Sequence, residues 1–480
     1  MWYNGNMPNQ PARTEESLQI LRDALRGTGY EHDVYLVGGA VRDELLGLPV
    51  KDLDFVVANH GVQGGVECAT ALAHALGNLN NHPVIYPTYG TAKLSLPNGD
   101  DVEFVAPRRE KYEAESRKPV VEPGTLMDDA MRRDFTVNAL FRRLSTGELL
   151  DLTGRGLQHL EQKRLETTSE AAVIFSEDPL RMIRAVRFGV KYGFAIPLSL
   201  LRAIKQNAHR LRIISEERIR DEFDKILVLN QPSRAMRLFK LTGLLAEFLP
   251  ELQALVGVVQ NRYHDRDAFR HTLDVLDATP KDRLTRLSAV FHDIGKAATR
   301  TQDEDGTVHF LGHQHVGADI ARAALNRLRY SNEDVDHVVK LTLYHMDLKF
   351  GKDDLSGLKD KHVRKLLFKV GASLNESLLD LVHADNLSHA PGHAMPNQIP
   401  LIRERMAGWD QTPVAVSQTK SLLNGLEIMA MGVPPGKLVG IIKDRLVQEM
   451  LEFPELTKER ATQIAQDIIE AHTCDATTTR

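Results

Sequence analysis

Along this chain the spacing of apolar residues changes character once, near residue 179. Before that point short apolar runs alternate with turn signals. Val34–Val37, Asp54–Val57, Ala92–Leu96 and Val102–Val105 read as strands, and Pro97-Asn98-Gly99-Asp100 reads as the turn joining the last two. After it, apolar positions recur at helical spacing almost without interruption, and Gly193, Pro197, Pro232, Pro250 and Pro280 fall where helices should end. The pattern predicts an α+β multidomain chain, with a small α/β head followed by a long all-α body. Expected boundaries are a loose tail over 1–16, the head over 17–160, a helical neck over 161–250, a second helical domain over 251–400 and C-terminal helices over 401–480.

Composition narrows the class. At 480 residues the chain is too long for one core, and its 42% apolar and 26% charged residues are ordinary for a soluble globular protein. No apolar run approaches the roughly 18 residues of a transmembrane helix, and the polar start lacks a signal peptide's apolar core. Two cysteines make neither a disulfide framework nor a thiolate metal site, so a reducing, cytoplasmic setting without a membrane is expected. A net charge of -5 means that any nucleic-acid surface must be a local patch. The 19 histidines, many of them between His264 and His393, suggest metal chemistry there.

The segment LVGGAVRDELLGLPVKDLDFVV (Leu36–Val57) carries the most chemistry. A strand runs into a Gly38-Gly39 turn, and a short helical stretch then holds Arg42 and Asp43. Asp52 and Asp54 follow on a second strand, where positions i and i+2 share a face. Two carboxylates so placed can hold divalent cations that align a nucleotide's phosphates, and the glycines let backbone N–H groups approach a triphosphate. Alone, a D-x-D could be a solvated strand end; with the glycine turn at this spacing it points to a nucleotidyltransferase.

Downstream, DDAMRRDFTVNALF (Asp128–Phe141) brings Arg132, Arg133, Asp134 and Asn138 together, groups suited to phosphate and ribose hydroxyls. The same arginines could instead pair with Asp128 and Asp129. In SEDPLRMIRAVRF, Asp178 and Arg181 could jointly read the amine-next-to-acceptor edge shared by C and A, while Asp178 before Pro179 also suits a helix cap. Arg181, Arg184 and Arg187 line one helix stripe. Residues 181–225 hold 11 Lys/Arg against 5 Asp/Glu, a net of +6, which suggests contact with an RNA backbone. Ser215-Glu216-Glu217 begins the next helix.

In this order the segments resemble the class II tRNA CCA-adding enzymes and bacterial poly(A) polymerases of the polymerase-β-like superfamily. GGAVRD with DLD resembles the metal and triphosphate motif, RRDFTVNA the ribose motif and DLTGRGLQHL the hinge. EDPLRMIRAVRF resembles the base-selecting motif, and SEERIRDEF its supporting neck helix. The resemblance covers about the first 225 residues. It implies Mg2+ on Asp52 and Asp54, the catalytic pair, and triphosphate contacts from Gly38, Gly39 and Arg42. Arg133, Asp134 and Asn138 would face the ribose, and Asp178 and Arg181 would act as a protein template, with Arg184 and Arg187 alongside. The hinge departs from the family pattern: His159 stands where an acidic residue is usual, which puts its usual salt link in question.

A second constellation begins with His271, followed by His292-Asp293 in HDIGK, then His313, His315, His345 and Asp385. Imidazoles and carboxylates from several helices can converge on a metal centre with open positions. The order resembles the HD phosphohydrolase superfamily, so 251–400 is expected to be an HD domain. His271, His292, Asp293 and Asp385 match its core set, and His313 and His345 match the extra ligands of its binuclear branch. The divalent metal there is not specified by the sequence. The C-terminal helices resemble the corresponding piece of HD-bearing enzymes and would suit a tRNA elbow.

The function expected is template-independent addition of CCA to tRNA 3′ ends from CTP and ATP, with an accessory HD phosphohydrolase. Poly(A) polymerase and CC-only or A-only tRNA nucleotidyltransferases share the head motifs. The charged stretch Arg108–Asp128 resembles the loop that full CCA enzymes use in moving from C to A, and argues against CC-only addition. From another class, a nucleotide phosphohydrolase with a ligand-binding head would not need two aligned metal carboxylates. No membrane or protein partner is implied.

Overall fold

The computed structural model describes residues 10–77, 82–86, 90–111, 120–260, 265–349, 353–409, 421–453 and 456–477. The chain divides into two compact units. One comprises Met1–Ile226 with Arg234–Phe248, the other Leu227–Ser233 with Leu249–Arg480.

The first unit opens with helix α1 (Gln10–Leu25), strand β1 (Val34–Val37), helix α2 (Gly39–Leu45), β2 (Leu53–Val57) and α3 (Gly64–Ala75). Strands β3 (Val84–Tyr86), β4 (Thr91–Ser95), β5 (Asp101–Val105), β6 (Arg108–Lys111) and β7 (Val120–Pro123) follow, then α4 (Leu126–Met131), β8 (Leu140–Arg143) and β9 (Leu149–Asp151). Seven strands form one sheet in the order β3-β4-β5-β2-β1-β8-β9, in which β2 and β5 run parallel and the other neighbours antiparallel. All four residues of β1 are buried, as a strand covered on both faces requires. Tyr35, Val37, Val56, Ala139 and Phe141 form the core on one face; Phe55 stacks on Phe104 at 5.2 Å within the sheet.

Helix α1 begins inside the segment expected to be a loose tail. It is tied down by Arg13, which pairs with Asp100 at 2.6 Å, and by the Ser17 hydroxyl, which donates to the same carboxylate at 2.6 Å. The four expected strands are found within a residue of their predicted ends. The strands β3, β8 and β9 were not visible in the pattern: β8 follows directly on the ribose motif, and its Leu140-Phe141-Arg142-Arg143 shows no apolar alternation. Hairpin β6–β7 flanks the charged stretch after Arg108, whose residues 112–119 lie outside the described residues.

Helices α5 (Gly156–Glu161), α6 (Ala171–Glu177), α7 (Leu180–Tyr192), α8 (Leu198–Asn207), α9 (Glu216–Leu227), α10 (Pro232–Thr242) and α11 (Leu244–Phe248) complete this part. Helix α7 is central among them. Nine of its thirteen residues are buried, Arg181 and Arg187 included.

The second unit holds α12 (Pro250–Gln253), α13 (Ala268–Ala278), α14 (Arg283–Phe291), α15 (Lys296–Thr299), α16 (His313–Arg327), α17 (Asn332–Tyr344), α18 (Asp360–Val370), α19 (Asn375–Leu387) and α20 (Gln398–Ala407). A two-strand hairpin, β10 (Thr301–Gln302) with β11 (Val308–His309), interrupts what the sequence pattern presents as unbroken helix. Helices α13, α14, α16, α17 and α19 pack on one another. Helices α21 (Gly425–Ala430), α22 (Lys437–Glu452) and α23 (Lys458–Thr477) share a small core around Ile428, Ile442, Leu446 and Ala461.

Candidate functional site

In the first unit, Asp52 and Asp54 flank the buried Leu53 and open into a cleft of about 780 Å³ also lined by Lys51, Lys93 and Glu103. The parallel register sets Asp54 opposite Glu103 on β5. Burial, followed by the neighbouring Glu103, pushes Asp54 up to about 6; Arg133 opposes this and Asp52 adds to it. Three carboxylates gathered under one guanidinium are a site that a divalent cation relieves, so the donor set fits one.

Gly38 adopts φ 68, and a Cβ there would come within 2.8 Å of Arg133 Nη1. The glycine turn thus lets Arg133 lie against it. Arg133 donates to Asp129 at 2.8 Å and to the Asn138 carbonyl at 3.3 Å. Arg132 also pairs with Asp129, so the arginine–aspartate pairing considered for this motif is what forms, around a fully buried carboxylate. Arg42, 4% exposed, donates to the Asn138 side chain, to Asp43 and to the Tyr192 hydroxyl. Asn138 donates to Asp134 at 2.9 Å, and Asp134 pairs with Arg184 at 2.6 Å.

The arginine stripe of α7 faces inward, contrary to an RNA-contacting role. Arg184 pairs with Asp134 and Arg187 with Glu222 of α9 at 2.6 Å. Arg181 pairs with Glu177 at 2.9 Å and donates to the Arg132 carbonyl at 2.7 Å. A guanidinium can be buried in this way because its donors are matched by carboxylates and carbonyls. Asp178 does not pair with Arg181; it caps the Leu180 N–H at 3.1 Å and pairs with Arg218 of α9 at 2.7 Å. At the hinge, His159 Nδ1 sits 2.9 Å from the Thr136 hydroxyl, and partial burial lowers its pKa. A neutral hydrogen bond thus stands at the position where His159 put the family's usual salt link in question.

In the second unit six side chains converge. His292, His313 and His345 each turn Nδ1 to a backbone carbonyl three residues earlier, at 2.7, 2.9 and 2.7 Å. His271 Nδ1 faces the Ser388 carbonyl at 3.3 Å. A carbonyl only accepts, so Nδ1 carries the proton and Nε2 the lone pair. All four Nε2 atoms point at carboxylate oxygens. Asp293 Oδ2 lies 3.6 Å from His271 and 3.3 Å from His292, and its Oδ1 lies 3.3 Å from His313 and 3.7 Å from His345. Asp385 lies 3.1 Å from His271. His292 Nε2 is buried without a hydrogen-bond partner. Lone pairs facing carboxylate oxygens repel unless a cation lies between them, so this donor set fits divalent metal. Two groups form, His271–His292–Asp293 and Asp293–His313–His345, with Asp293 common to both.

The histidines of the cluster titrate differently. Burial lowers His345 to about 4 and keeps it neutral. Burial also acts to lower His292, but Asp293 and Asp385 outweigh it and raise its pKa. Asp293 and Asp385 are held well below the usual carboxylate range; burial works against this and is outweighed, chiefly by Lys296 and Lys349 respectively. Gly295 of HDIGK permits the assembly: a Cβ there would meet the His313 carbonyl oxygen at 2.1 Å. His315 is exposed and outside the cluster.

Three family descriptions match the chain: "Poly A polymerase head domain" over 34–166, "Probable RNA and SrmB-binding site of polymerase A" over 193–255, and "HD domain" over 264–390. A CC-adding tRNA nucleotidyltransferase of Thermus thermophilus is 30% identical over 89% of this chain and 92% of its own. An A-adding tRNA nucleotidyltransferase of Deinococcus radiodurans is 31% identical over 86% of this chain and 90% of its own. The chain belongs to the tRNA nucleotidyltransferase family. Among solved structures, a CCA-adding enzyme of Bacillus stearothermophilus in complex with CTP shares 25% identity and covers 98% of this chain and 100% of its own, with a TM-score of 0.67.

For a tRNA nucleotidyltransferase, sequence reasoning missed several site residues. Glu103 reads as the solvent face of an alternating strand, and nothing local says that its strand lies beside β2. In the HD centre, Lys296 pairs with Asp293 at 2.6 Å and donates to Gln260 at 2.7 Å. Lys349 contacts Asp385, and His389 lies 3.7 Å from it. HDIGK signals Lys296; no comparable signal marks Lys349 or His389.

Proposed function

We propose that this tRNA nucleotidyltransferase adds CCA to tRNA 3′ ends from CTP and ATP without a nucleic-acid template, releasing pyrophosphate. The observation that carries it is the Asp52/Asp54 pair in an open cleft beside the Gly38 turn. Mg2+ held by these carboxylates would supply charge neutralisation for in-line attack of the RNA 3′-hydroxyl on the α-phosphate. The protein's part is positional. Arg133 sits against the glycine turn, and Asn138 and Asp134 form the hydrogen-bonded wall on which a ribose would rest. Asp178 and Arg181 remain the template candidates, each braced by its own partner, Arg218 and Glu177 respectively. The domain limits 17–160, 161–250, 251–400 and 401–480 and a cytoplasmic location complete this reading.

Addition of a full CCA, rather than CC alone, is favoured by the charged segment Arg108–Asp128. The proposed test is Asp52→Ala: nucleotide addition should vanish while tRNA affinity stays within about twofold. Near-normal turnover would defeat the metal assignment.

For the second unit we propose hydrolysis of phosphate esters, including 2′,3′-cyclic phosphates at damaged RNA ends. The support is the shared carboxylate of Asp293 between two imidazole pairs. A divalent pair there would supply Lewis acidity, and the lysines at Asp293 and Asp385 would steady an anionic substrate.

A further inference from the structure

We propose that Lys191 and Tyr192, at the C-terminal end of α7, belong to the nucleotide site and face the triphosphate. Tyr192 positions Arg42, and Lys191 offers its ammonium to a phosphate oxygen. The role of Tyr192 rests on the reading of the glycine turn and Arg42 as the triphosphate end of the site.

The Tyr192 hydroxyl is a junction. It accepts from Arg42 and, at 2.7 Å, from Lys191 Nζ, and it donates to Asp43 at 3.4 Å. Its ring lies under the Arg42 guanidinium at 4.4 Å and stacks on Phe188 at 5.8 Å. Arg42 is thereby held from three sides, by Tyr192, Asp43 and Asn138, in one orientation against the α2 turn. Such a brace removes rotamer freedom that a phosphate contact would otherwise have to freeze.

Lys191 differs from the buried arginines of the same helix. It is exposed, its ammonium lies 4.6 Å from the Tyr192 ring centre, and neither it nor Lys51 makes an ion pair among the described residues. Partial burial lowers its pKa; Arg42, Arg187 and Lys51 lower it further, and Asp43 opposes them. Arg42 of α2, Lys51 just before β2 and Arg187 of α7 therefore act together on Lys191, with Asp43 as the opposing charge. Lys51 also lines the cleft that holds Asp52 and Asp54. Unpaired ammonium groups drawn together beside a metal cleft repel one another, and a polyanion at that edge turns the repulsion into binding. A nucleoside triphosphate has the required charge. An RNA phosphate is the other source of the same chemistry, and the Arg42 junction at the glycine turn favours the nucleotide.

The test uses the full-length protein with Mg2+ and a tRNA transcript lacking CCA. Lys191→Met should raise KM for both CTP and ATP about tenfold, the size of one charge-assisted hydrogen bond. It should leave kcat and the KM for tRNA within twofold, leave CMP affinity unchanged, and be largely rescued by Lys191→Arg. Tyr192→Phe, which keeps the ring, should raise both nucleotide KM values about threefold at an unchanged melting temperature. A rise confined to the KM for tRNA, an equal loss of CTP and CMP affinity, or no change overturns the proposal. Arg42→Lys separates the two levels. If it raises the KM for CTP while Lys191→Met and Tyr192→Phe do not, only this proposal fails. If it leaves the KM for CTP unchanged, the triphosphate reading of Arg42 fails, and the role of Tyr192 with it.

Discussion

Asp54 meets two other carboxylates, Asp52 and Glu103, with Arg133 as the opposing charge. Its folded pKa of about 6 lies above the ordinary 3.8, so between those values the folded protein binds more protons than the unfolded chain. The sign follows: without bound cation, stability is lost as pH rises from about 4 through 6. Asp54→Asn is therefore expected to raise the melting temperature in EDTA at pH 7, with the gain vanishing below about pH 4, while abolishing nucleotide addition. Because Asp54 opens to solvent, screening should keep the gain to about 1 kcal/mol or less. A lower melting temperature at pH 7 would contradict the charge crowding. At this scale the sequence was legible wherever residue type and order coincide. The H…HD…H…H…D series named all six converging side chains because each is a donor type that helices can aim inward. It did not reveal Lys349, whose type suits a solvated surface equally well.

Helix α7 shows the limit of pattern reading at the scale of elements. Arginines at three-residue spacing define a stripe, but spacing does not say which way the stripe faces. Glu222, 3% exposed, decides it, accepting Arg187 at 2.6 Å with Arg184 and Lys225 nearby. Truncating one partner of a buried ion cluster leaves charge unpaired, so Glu222→Ala should cost about 3 kcal/mol in denaturant unfolding. A loss below 1 kcal/mol would show that the arginines find other partners or water. The sheet tells a similar story. Strands β1, β2, β4 and β5 were readable because apolar alternation marks them, yet the parallel β2–β5 register that delivers Glu103 is a tertiary choice.

For the whole molecule, the two chemistries are expected to be separable. Asp293→Asn should reduce bound transition metal, measured by elemental analysis, and leave nucleotide addition within twofold, because Asp293 and Asp52 belong to different compact units. Coupled loss of both would contradict independent sites. The neck's charge also reads differently in three dimensions. Of the 11 Lys/Arg in residues 181–225, at least seven are in ion pairs: Arg181, Arg184, Arg187, Arg212, Arg218, Arg220 and Lys225. The salt dependence of tRNA binding should then be moderate, with a log–log slope of about -2 to -3, rather than the steep value that a free +6 surface implies.

The most direct measurement is the length and sequence of the product formed on a tRNA transcript lacking its last three nucleotides, with CTP alone, ATP alone and both together. CTP alone should add two residues and stop, both together should give CCA and stop, and Asp52→Ala should add nothing. A long adenylate tail from ATP alone, or arrest after CC with both nucleotides present, would contradict CCA addition.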